Sequence, residues 1–309
     1  MALSSASFFS FEPPPSSLSY LFIIMSELYT LEERSAEYEN YSKTSSQYDA
    51  TRVEVGIEFM TAAFASVGPM AKLNLLDAGC GTGSYIDAFR GKVQGVVGVD
   101  LNQGMLDQAE RKFQDDPNVT LKQGSLVDIP CEDNQFDAAM CNQVIHHLAE
   151  GEGEERFQGI QKLADEVFRV LRPGAVFTLN LSTPEQTEDG FWWASLIPDA
   201  VEFMTKRCPN VSELHEMLSN AGFTIIQTTA LKDEVLQGEN YLDPRGPLKS
   251  EWRDGDSTWS LVSESELSTA MKFVEEMNSD GKMPSYIDDR EQRRQQVGQT
   301  TSILALKAE

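Results

Sequence analysis

The chain is poor in positive charge. Its 309 residues include 25 Lys or Arg against 49 Asp or Glu, so the formal net charge at pH 7 is −24. A field of this sign repels phosphate backbones, and a nucleic-acid site would need a local basic groove. The densest basic cluster, Arg290, Arg293 and Arg294, is too small to form one. We therefore expect no nucleic-acid partner.

Cysteine, histidine and long apolar runs are also scarce. The four cysteines, at positions 80, 131, 141 and 208, form no C-x-x-C motif, and the three histidines show no metal-ligand spacing. This pattern predicts reduced thiols, an intracellular location and no metal site. No segment approaches the ~18 apolar residues of a membrane span, so we expect a soluble, cytoplasmic protein without a membrane partner.

The first 25 residues do not match one clear targeting signal. They hold seven serines, three consecutive prolines and one charged residue, Glu12. A secretory signal needs a basic start, which is lacking here. A serine-rich leader is compatible with organelle targeting, although arginines are missing, and Met25 is an alternative start. We expect a disordered leader.

The most informative segment is LNLLDAGCGTGSY, residues 73–85. An apolar run ends in an acid and breaks into alternate glycines: Asp77, Gly79, Gly81 and Gly83. A buried strand that enters such a turn lets backbone amides approach a ligand closely. A second apolar run ends in Asp100, where a carboxylate can accept hydrogen bonds from both hydroxyls of a ribose. The sequence therefore predicts a nucleoside ligand.

The glycine spacing separates two kinds of nucleoside site. A dinucleotide site needs G-x-G-x-x-G, which would require glycine at Ser84, whereas here the third glycine is Gly83. This spacing argues against a nicotinamide oxidoreductase. The string LLDAGCGTG resembles the class I S-adenosylmethionine-dependent methyltransferases of the small-molecule group (type 11/25-like). The resemblance implies a Rossmann-like α/β fold with seven strands, helices on both faces, an antiparallel last strand and S-adenosylmethionine as cofactor.

The resemblance continues in order from residue 73 to residue 182 and implies a role for each motif. Asp100 would hold the ribose and Leu101 would cover the adenine. GSLVDIPCEDNQFD matches a family stretch in which an aspartate commonly binds the adenine amino group, but this chain has Ser125 there. The Ser125 hydroxyl and the Leu126 amide are the expected substitutes. The expected donor set is Tyr48, Asp77, Gly79, Gly81, Gly83, Asp100, Leu101, Ser125, Leu126 and Asn142.

The sequence indicates the residues of the acceptor site less directly than those of the donor site. His146 and His147 come after the fourth strand, where a general base would lie, although a structural role is the better expectation. Aromatic side chains late in the chain either wall the acceptor pocket or belong to the core. These are Trp192, Trp193, Trp252 and Trp259.

The organisation follows the same resemblance. A YDxxR-like segment leads into a helix that we expect to begin near Arg52, and residues 152–171 form an amphipathic helix. Before the last strand a long insertion carries its own helix, with Ser263 and Glu266 as a capping box, and acts as a lid or a dimer contact. The expected parts are a leader (1–25), a helical cover over the donor site (26–70), the core (71–231), the insertion (232–300) and the last strand (301–309).

We therefore expect an enzyme that transfers a methyl group from S-adenosylmethionine to a small-molecule acceptor by in-line displacement. The alternatives are a protein or tRNA methyltransferase, and a non-catalytic S-adenosylmethionine-binding protein. The sequence leaves open whether oxygen, nitrogen, sulfur or carbon is methylated, and a homodimer is an open expectation.

Overall fold

The computed structural model describes residues 52–150 and 153–309. The leader and Tyr48 lie outside the described residues. Among the helices of the described part, none combines the length and the apolar character that crossing a bilayer requires.

A single seven-stranded sheet organises the described residues. Its strands are β1 Asn74–Ala78, β2 Gly95–Asp100, β3 Val119–Gln123, β4 Phe136–Asn142, β5 Leu171–Leu181, β6 Phe223–Leu231 and β7 Thr300–Lys307. The spatial order is β3-β2-β1-β4-β5-β7-β6. Strands β1 to β5 pair in parallel, whereas β7 is antiparallel to both β5 and β6. The predicted Rossmann-like fold with an antiparallel last strand is confirmed.

Helices cover both faces of this sheet. They are α1 Ile57–Ala65, α2 Ser84–Phe89, α3 Gln103–Phe113, α4 Gln158–Val170, α5 Pro184–Asp189, α6 Pro198–Thr205, α7 Val211–Asn220, α8 Ser250–Arg253, α9 Glu264–Ser279 and α10 Met283–Val297. Neighbouring strand residues point to opposite faces, so Leu75 packs with α1, α2 and α3, while Leu76 packs with α4 and α7. Both faces of the central strands are therefore buried, which explains their continuous apolar runs.

Two predicted helices begin later than expected. The helix expected near Arg52 begins at Ile57, because Gly56 has a left-handed φ of 78° that interrupts the helical path. Its buried face is Met60, Ala63 and Phe64. The amphipathic helix expected over residues 152–171 is α4, with a separate short turn at Gly153–Glu155 before it.

The insertion between β6 and β7 contains more helix than predicted. The expected helix is α9, which the Ser263 hydroxyl caps by accepting a hydrogen bond from the Glu266 amide. The reciprocal half of the predicted capping box is wrong, because the Glu266 carboxylate accepts instead from the Asp199 amide at the start of α6 (2.8 Å). The sequence analysis missed α10, whose mostly polar residues bury only a few side chains, including Met283 and Ile287.

Candidate functional site

The glycine loop connects β1 to α2 at the carboxyl edge of the sheet. Gly79, Gly81 and Gly83 all have positive φ, at 82°, 50° and 82°. A Cβ on Gly79 would lie 2.5 Å from Val144 and one on Gly83 would lie 2.4 Å from Phe113, whereas one on Gly81 would meet no atom within 4 Å. Gly79 and Gly83 are therefore required by packing, and Gly81 faces open space.

Asp100, at the end of β2, stabilises this loop by hydrogen bonding. Its Oδ2 accepts a hydrogen bond from the Gly81 amide and its Oδ1 accepts one from the Asn102 amide, both at 2.8 Å. Burial raises the pKa of Asp100, while the amides of Asn102, Gly81 and Leu101 oppose that rise. Each carboxylate oxygen retains a further lone pair, so the group can still accept from the two hydroxyls of a ribose.

Two side chains beside the loop, Asp77 and Asn142, have buried polar atoms without a hydrogen-bond partner in the described part of the chain. These atoms are Asp77 Oδ2 and both amide atoms of Asn142. Asp77 is the penultimate residue of β1 and Asn142 is the last residue of the adjacent strand β4. Burial, reinforced by the Asp100 carboxylate, raises the pKa of Asp77 to about 8. Unpaired buried polar groups are costly, so their presence here favours a polar ligand that completes them.

The residues expected around the adenine lie on the neighbouring strand ends. Leu101 follows Asp100 and is 69% exposed, so its side chain is accessible at this edge of the sheet. The Gly124 amide donates to the Asp100 carbonyl, which brings the end of β3 against the end of β2. Next to it, the Ser125 hydroxyl accepts from the Val127 amide at 3.3 Å and keeps its own hydrogen to donate.

The Leu126 side chain is buried in the core, on the face of the sheet that α4 covers, so only its backbone is available at this edge. The loop, Asp77, Asp100, Asn142 and Gly124 thus share the carboxyl edge of β1 to β4.

The two histidines lie in a short turn after β4, Ile145–Leu148, with ring centroids 4.1 Å apart. Burial lowers the pKa of His147 to about 4, and the positive charge of Arg207 adds to this effect. Burial also lowers the pKa of His146 far below its usual range, with His147, Arg207 and Arg52 contributing. Both rings are therefore neutral at pH 7, and their role as a general base stays a prediction.

The four tryptophans come together although they are far apart in sequence. Trp193 lies 5.7 Å from Trp259 and 6.5 Å from Trp252, between ring centroids, and Trp192 lies 6.2 Å from Trp252. All four are at most 5% exposed. They join the segment after β5 to the insertion, and their contact with an acceptor stays a prediction.

The sequence analysis missed a polar network at the end of β4. Gln143 has a φ of 57°, which is uncommon for a residue other than glycine. Its amide donates to the Asn180 carbonyl (2.9 Å) and its side-chain amide donates to Asn180 Oδ1 (2.7 Å). Asn180 in turn donates to the Ser302 hydroxyl (2.8 Å). No local sequence motif predicts this network, because its members come from the ends of three different strands.

The described residues contain no group of three or more His, Cys, Asp or Glu side chains placed to hold a metal ion. The four cysteines are free.

Comparison with known proteins identifies the family. A family model described as "Methyltransferase domain" matches residues 76–179. A probable S-adenosylmethionine-dependent methyltransferase of Mycolicibacterium smegmatis is 31% identical over 50% of this chain and 53% of its own length. A demethylmenaquinone methyltransferase of Staphylococcus saprophyticus is 30% identical over 52% of this chain and 74% of its own length. The chain belongs to the class I S-adenosylmethionine-dependent methyltransferases. It spans about half the length of several curated relatives that it matches.

Solved structures agree on the methyltransferase fold. A putative methyltransferase from an antibiotic biosynthesis pathway of Anabaena variabilis aligns with a TM-score of 0.63 at 17% identity, over 80% of this chain and 96% of that one. The family's cofactor, S-adenosylmethionine, fits the residues described above. The loop exposes backbone at Gly81, Asp100 offers acceptors, and Asp77 and Asn142 carry buried polar atoms that no described residue contacts by a hydrogen bond.

Proposed function

We propose that this protein transfers a methyl group from S-adenosylmethionine to a small-molecule acceptor. The observation that carries the proposal is the set of buried polar atoms of Asp77 and Asn142 that have no hydrogen-bond partner among residues 52–150 and 153–309, beside a glycine loop whose Gly81 amide donates to Asp100. A nucleoside that bears an amino acid presents hydroxyls for Asp100 and an ammonium for the side chains beside Gly79.

Each side chain has a defined task in this proposal. Asp100 holds the ribose while it keeps the loop in place, and exposed Leu101 covers one adenine face. Ser125 and the Leu126 amide supply polar contacts at the adenine edge. Asn142 and Asp77 bind the amino-acid end, and Tyr48 covers it.

The bound cofactor supplies an electrophilic methyl group on a sulfonium. The protein's own contribution is to exclude water and to hold the acceptor in line, which is worth about 7 to 11 kcal/mol when both partners are well oriented. No nucleophilic side chain of the protein is required. A histidine with a pKa of about 4 is a weak base, so His147 suits acceptors that lose their proton easily.

Several features favour a small-molecule acceptor. Curated relatives bear the name demethylmenaquinone methyltransferase, which denotes a small-molecule acceptor. The net charge of −24 disfavours nucleic acid. The insertion next to the strand ends is the part of the chain best placed to determine which acceptor enters, with the four tryptophans as its candidate wall. We propose a cytoplasmic location, and the oligomeric state, including a homodimer, is open to measurement.

The test is isothermal titration with S-adenosylmethionine, S-adenosylhomocysteine and NADH, followed by transfer of a labelled methyl group into a metabolite extract. We expect the first two ligands to bind, NADH not to bind, and label to appear in a small molecule. Binding without any transfer would support the alternative of a non-catalytic sensor. Label in protein or tRNA alone would contradict the proposed acceptor class.

A matched glycine pair tests the site itself. Gly81→Val should abolish donor binding, because its side chain would project into the open space above the loop. Gly91→Val is the control, since Gly91 also has a positive φ, of 74°, and free space but lies at the other end of α2. Asp100→Ala should also abolish binding. Unchanged binding in Gly81→Val and Asp100→Ala would remove the proposed site.

A further inference from the structure

Residues 52–56, which we call the strap, precede α1 and contact the insertion. The Arg52 guanidinium forms an ion pair with Asp256 (2.9 Å) and also donates to the Gly255 carbonyl (2.8 Å). The two charged side chains are only 16% and 4% exposed, so solvent screens this pair less than a surface pair. Asp256 also accepts from the Thr258 amide (2.8 Å), which fixes its orientation within the insertion.

Further contacts hold the strap along its length. The Val53 amide donates to the Leu236 carbonyl (2.9 Å), and the Gly56 amide donates to the Glu234 carboxylate (2.7 Å). A Cβ on Gly56 would lie 3.3 Å from the Ser302 hydroxyl, so the strap is packed directly onto the carboxyl edge of the sheet. The insertion thus contacts the strap at both of its ends, through Asp256 at Arg52 and through Glu234 at Gly56.

The middle of the strap contacts the glycine loop's helix. Tyr85, the second residue of α2, uses its hydroxyl to accept from the Val55 amide and to donate to the Val55 carbonyl, both at 3.2 Å. Helix α2 begins immediately after Gly83. The Val55 side chain is buried, so the strap cannot leave Tyr85 without exposing apolar surface.

We propose that the strap couples the two sides of the site, so that order in the insertion at Asp256 and order in α2 favour each other. Asp256 is then a positioning residue that acts on the donor loop through Arg52, Val55 and Tyr85. Linkage makes the effect reciprocal: loosening either end loosens the other. The extension to donor affinity rests on the proposed function.

Amide hydrogen exchange of the protein without ligand tests the coupling. Asp256→Asn keeps the oxygen that accepts from Thr258 but removes the charge that pairs with Arg52. We expect exchange in residues 84–89 to become at least threefold faster, and Tyr85→Phe to do the same to residues 254–260. Asp243→Asn, which breaks the exposed Lys249 pair in the same insertion, and Tyr286→Phe are the matched controls.

If Asp256→Asn does not fold, Arg52→Gln breaks the same pair from the more exposed side. Faster exchange confined to the mutated end overturns the strap proposal. Titration with S-adenosylhomocysteine is the second readout: we expect Asp256→Asn to weaken binding threefold or more and Asp243→Asn to leave it unchanged. Equal affinities overturn the coupling to the donor. A wild-type protein that binds no donor refutes the proposed function, while the exchange result still decides the strap.

Discussion

At the scale of single residues, Asp77 connects stability to ligand binding. Its carboxyl is 2% exposed, lies near Asp100 and has a pKa of about 8, against 3.8 in an unfolded chain. At pH 7 the unliganded protein therefore holds this group mostly in its neutral form. A ligand ammonium would favour the ionised form, so donor binding should release a proton, which titration in buffers of different ionisation enthalpy detects.

The same shift predicts how stability depends on pH. Between pH 4 and pH 8 the folded state binds a proton at Asp77 that the unfolded state has lost, so the contribution of Asp77 to stability falls as pH rises, by up to about 1.4 kcal/mol per unit. We expect Asp77→Asn to remove this dependence of stability on pH, as measured by thermal unfolding at a series of pH values between 5 and 9. Asp107→Asn, at an exposed site on α3, is the control. Parallel curves for wild type and Asp77→Asn would contradict the predicted shift.

The glycines of the loop should differ in what their substitution costs. Gly83→Ala places a Cβ 2.4 Å from the Phe113 ring as well as imposing an unfavourable φ. We expect a loss of about 2 to 5 kcal/mol from strain and overpacking together. Gly81→Ala carries only the backbone cost of about 1 to 2 kcal/mol. Chemical denaturation measures both, and equal losses would contradict the packing described for Gly83.

His147 predicts the opposite pH effect. Its pKa is about 4 in the folded protein and 6.5 in the reference state, so below pH 6.5 the unfolded chain takes up a proton that the folded chain does not. The contribution of His147 to stability should therefore fall as pH drops from 6.5 to 4, and it opposes the contribution of Asp77 over the same range. In the Asp77→Asn background, His147→Gln should flatten the dependence of unfolding free energy on pH in this range, with His215→Gln on α7 as the control. A steep acid limb that persists in His147→Gln would show that other groups cause it.

At the scale of elements, local patterns predicted the core and one helix of the insertion, α9, and missed the other long one, α10. The strands up to β5 and the glycine turn were predictable because apolar runs and turn residues are local signals. The start of α1 at Ile57 was not, since it depends on the conformation of Gly56. Helix α10 has little apolar periodicity, and its Arg293 forms exposed ion pairs with Glu185 and Asp189, so no local apolar pattern marks it.

The tryptophan cluster gives a prediction for the insertion. Trp252→Ala removes a buried ring, and the hydrogen bond from Trp252 to the Asn240 carbonyl (2.9 Å), and should cost about 3 to 5 kcal/mol. Trp252→Phe keeps most of the packing and should fold. If the cluster walls the acceptor, Trp252→Phe should raise the KM for the acceptor and leave donor affinity unchanged. An unchanged KM would assign the cluster to the core alone.

At the scale of the whole molecule, the net charge of −24 bears on donor recognition. S-adenosylmethionine carries a sulfonium charge that its demethylated product lacks, so the protein's field should favour the donor over the product. Raising salt from about 0.05 M to 0.5 M should reduce that preference about two- to fivefold. Titration of both ligands at each salt concentration measures it. Equal salt dependence would show that local contacts alone set the preference.

The site itself was only partly predictable. Asp77, the glycines and Asp100 lie in one short stretch that the sequence displays directly. The pairing of Arg52 with Asp256 joins residues that are 204 positions apart, and the Gln143 network joins three strand ends. Such contacts depend on how the elements are arranged in space. A single sequence indicates that arrangement only through its resemblance to a known family.

The strand order has a consequence for synthesis in the cell. Among the described strands, β6 pairs with β7 alone, yet residues 232–299 must leave the ribosome between the two strands. At a synthesis rate of about 5 to 20 residues per second, β6 has both edges unpaired for roughly 3 to 14 seconds. Each nascent chain therefore passes through an interval in which chaperones or neighbouring nascent chains compete with β7 for that edge.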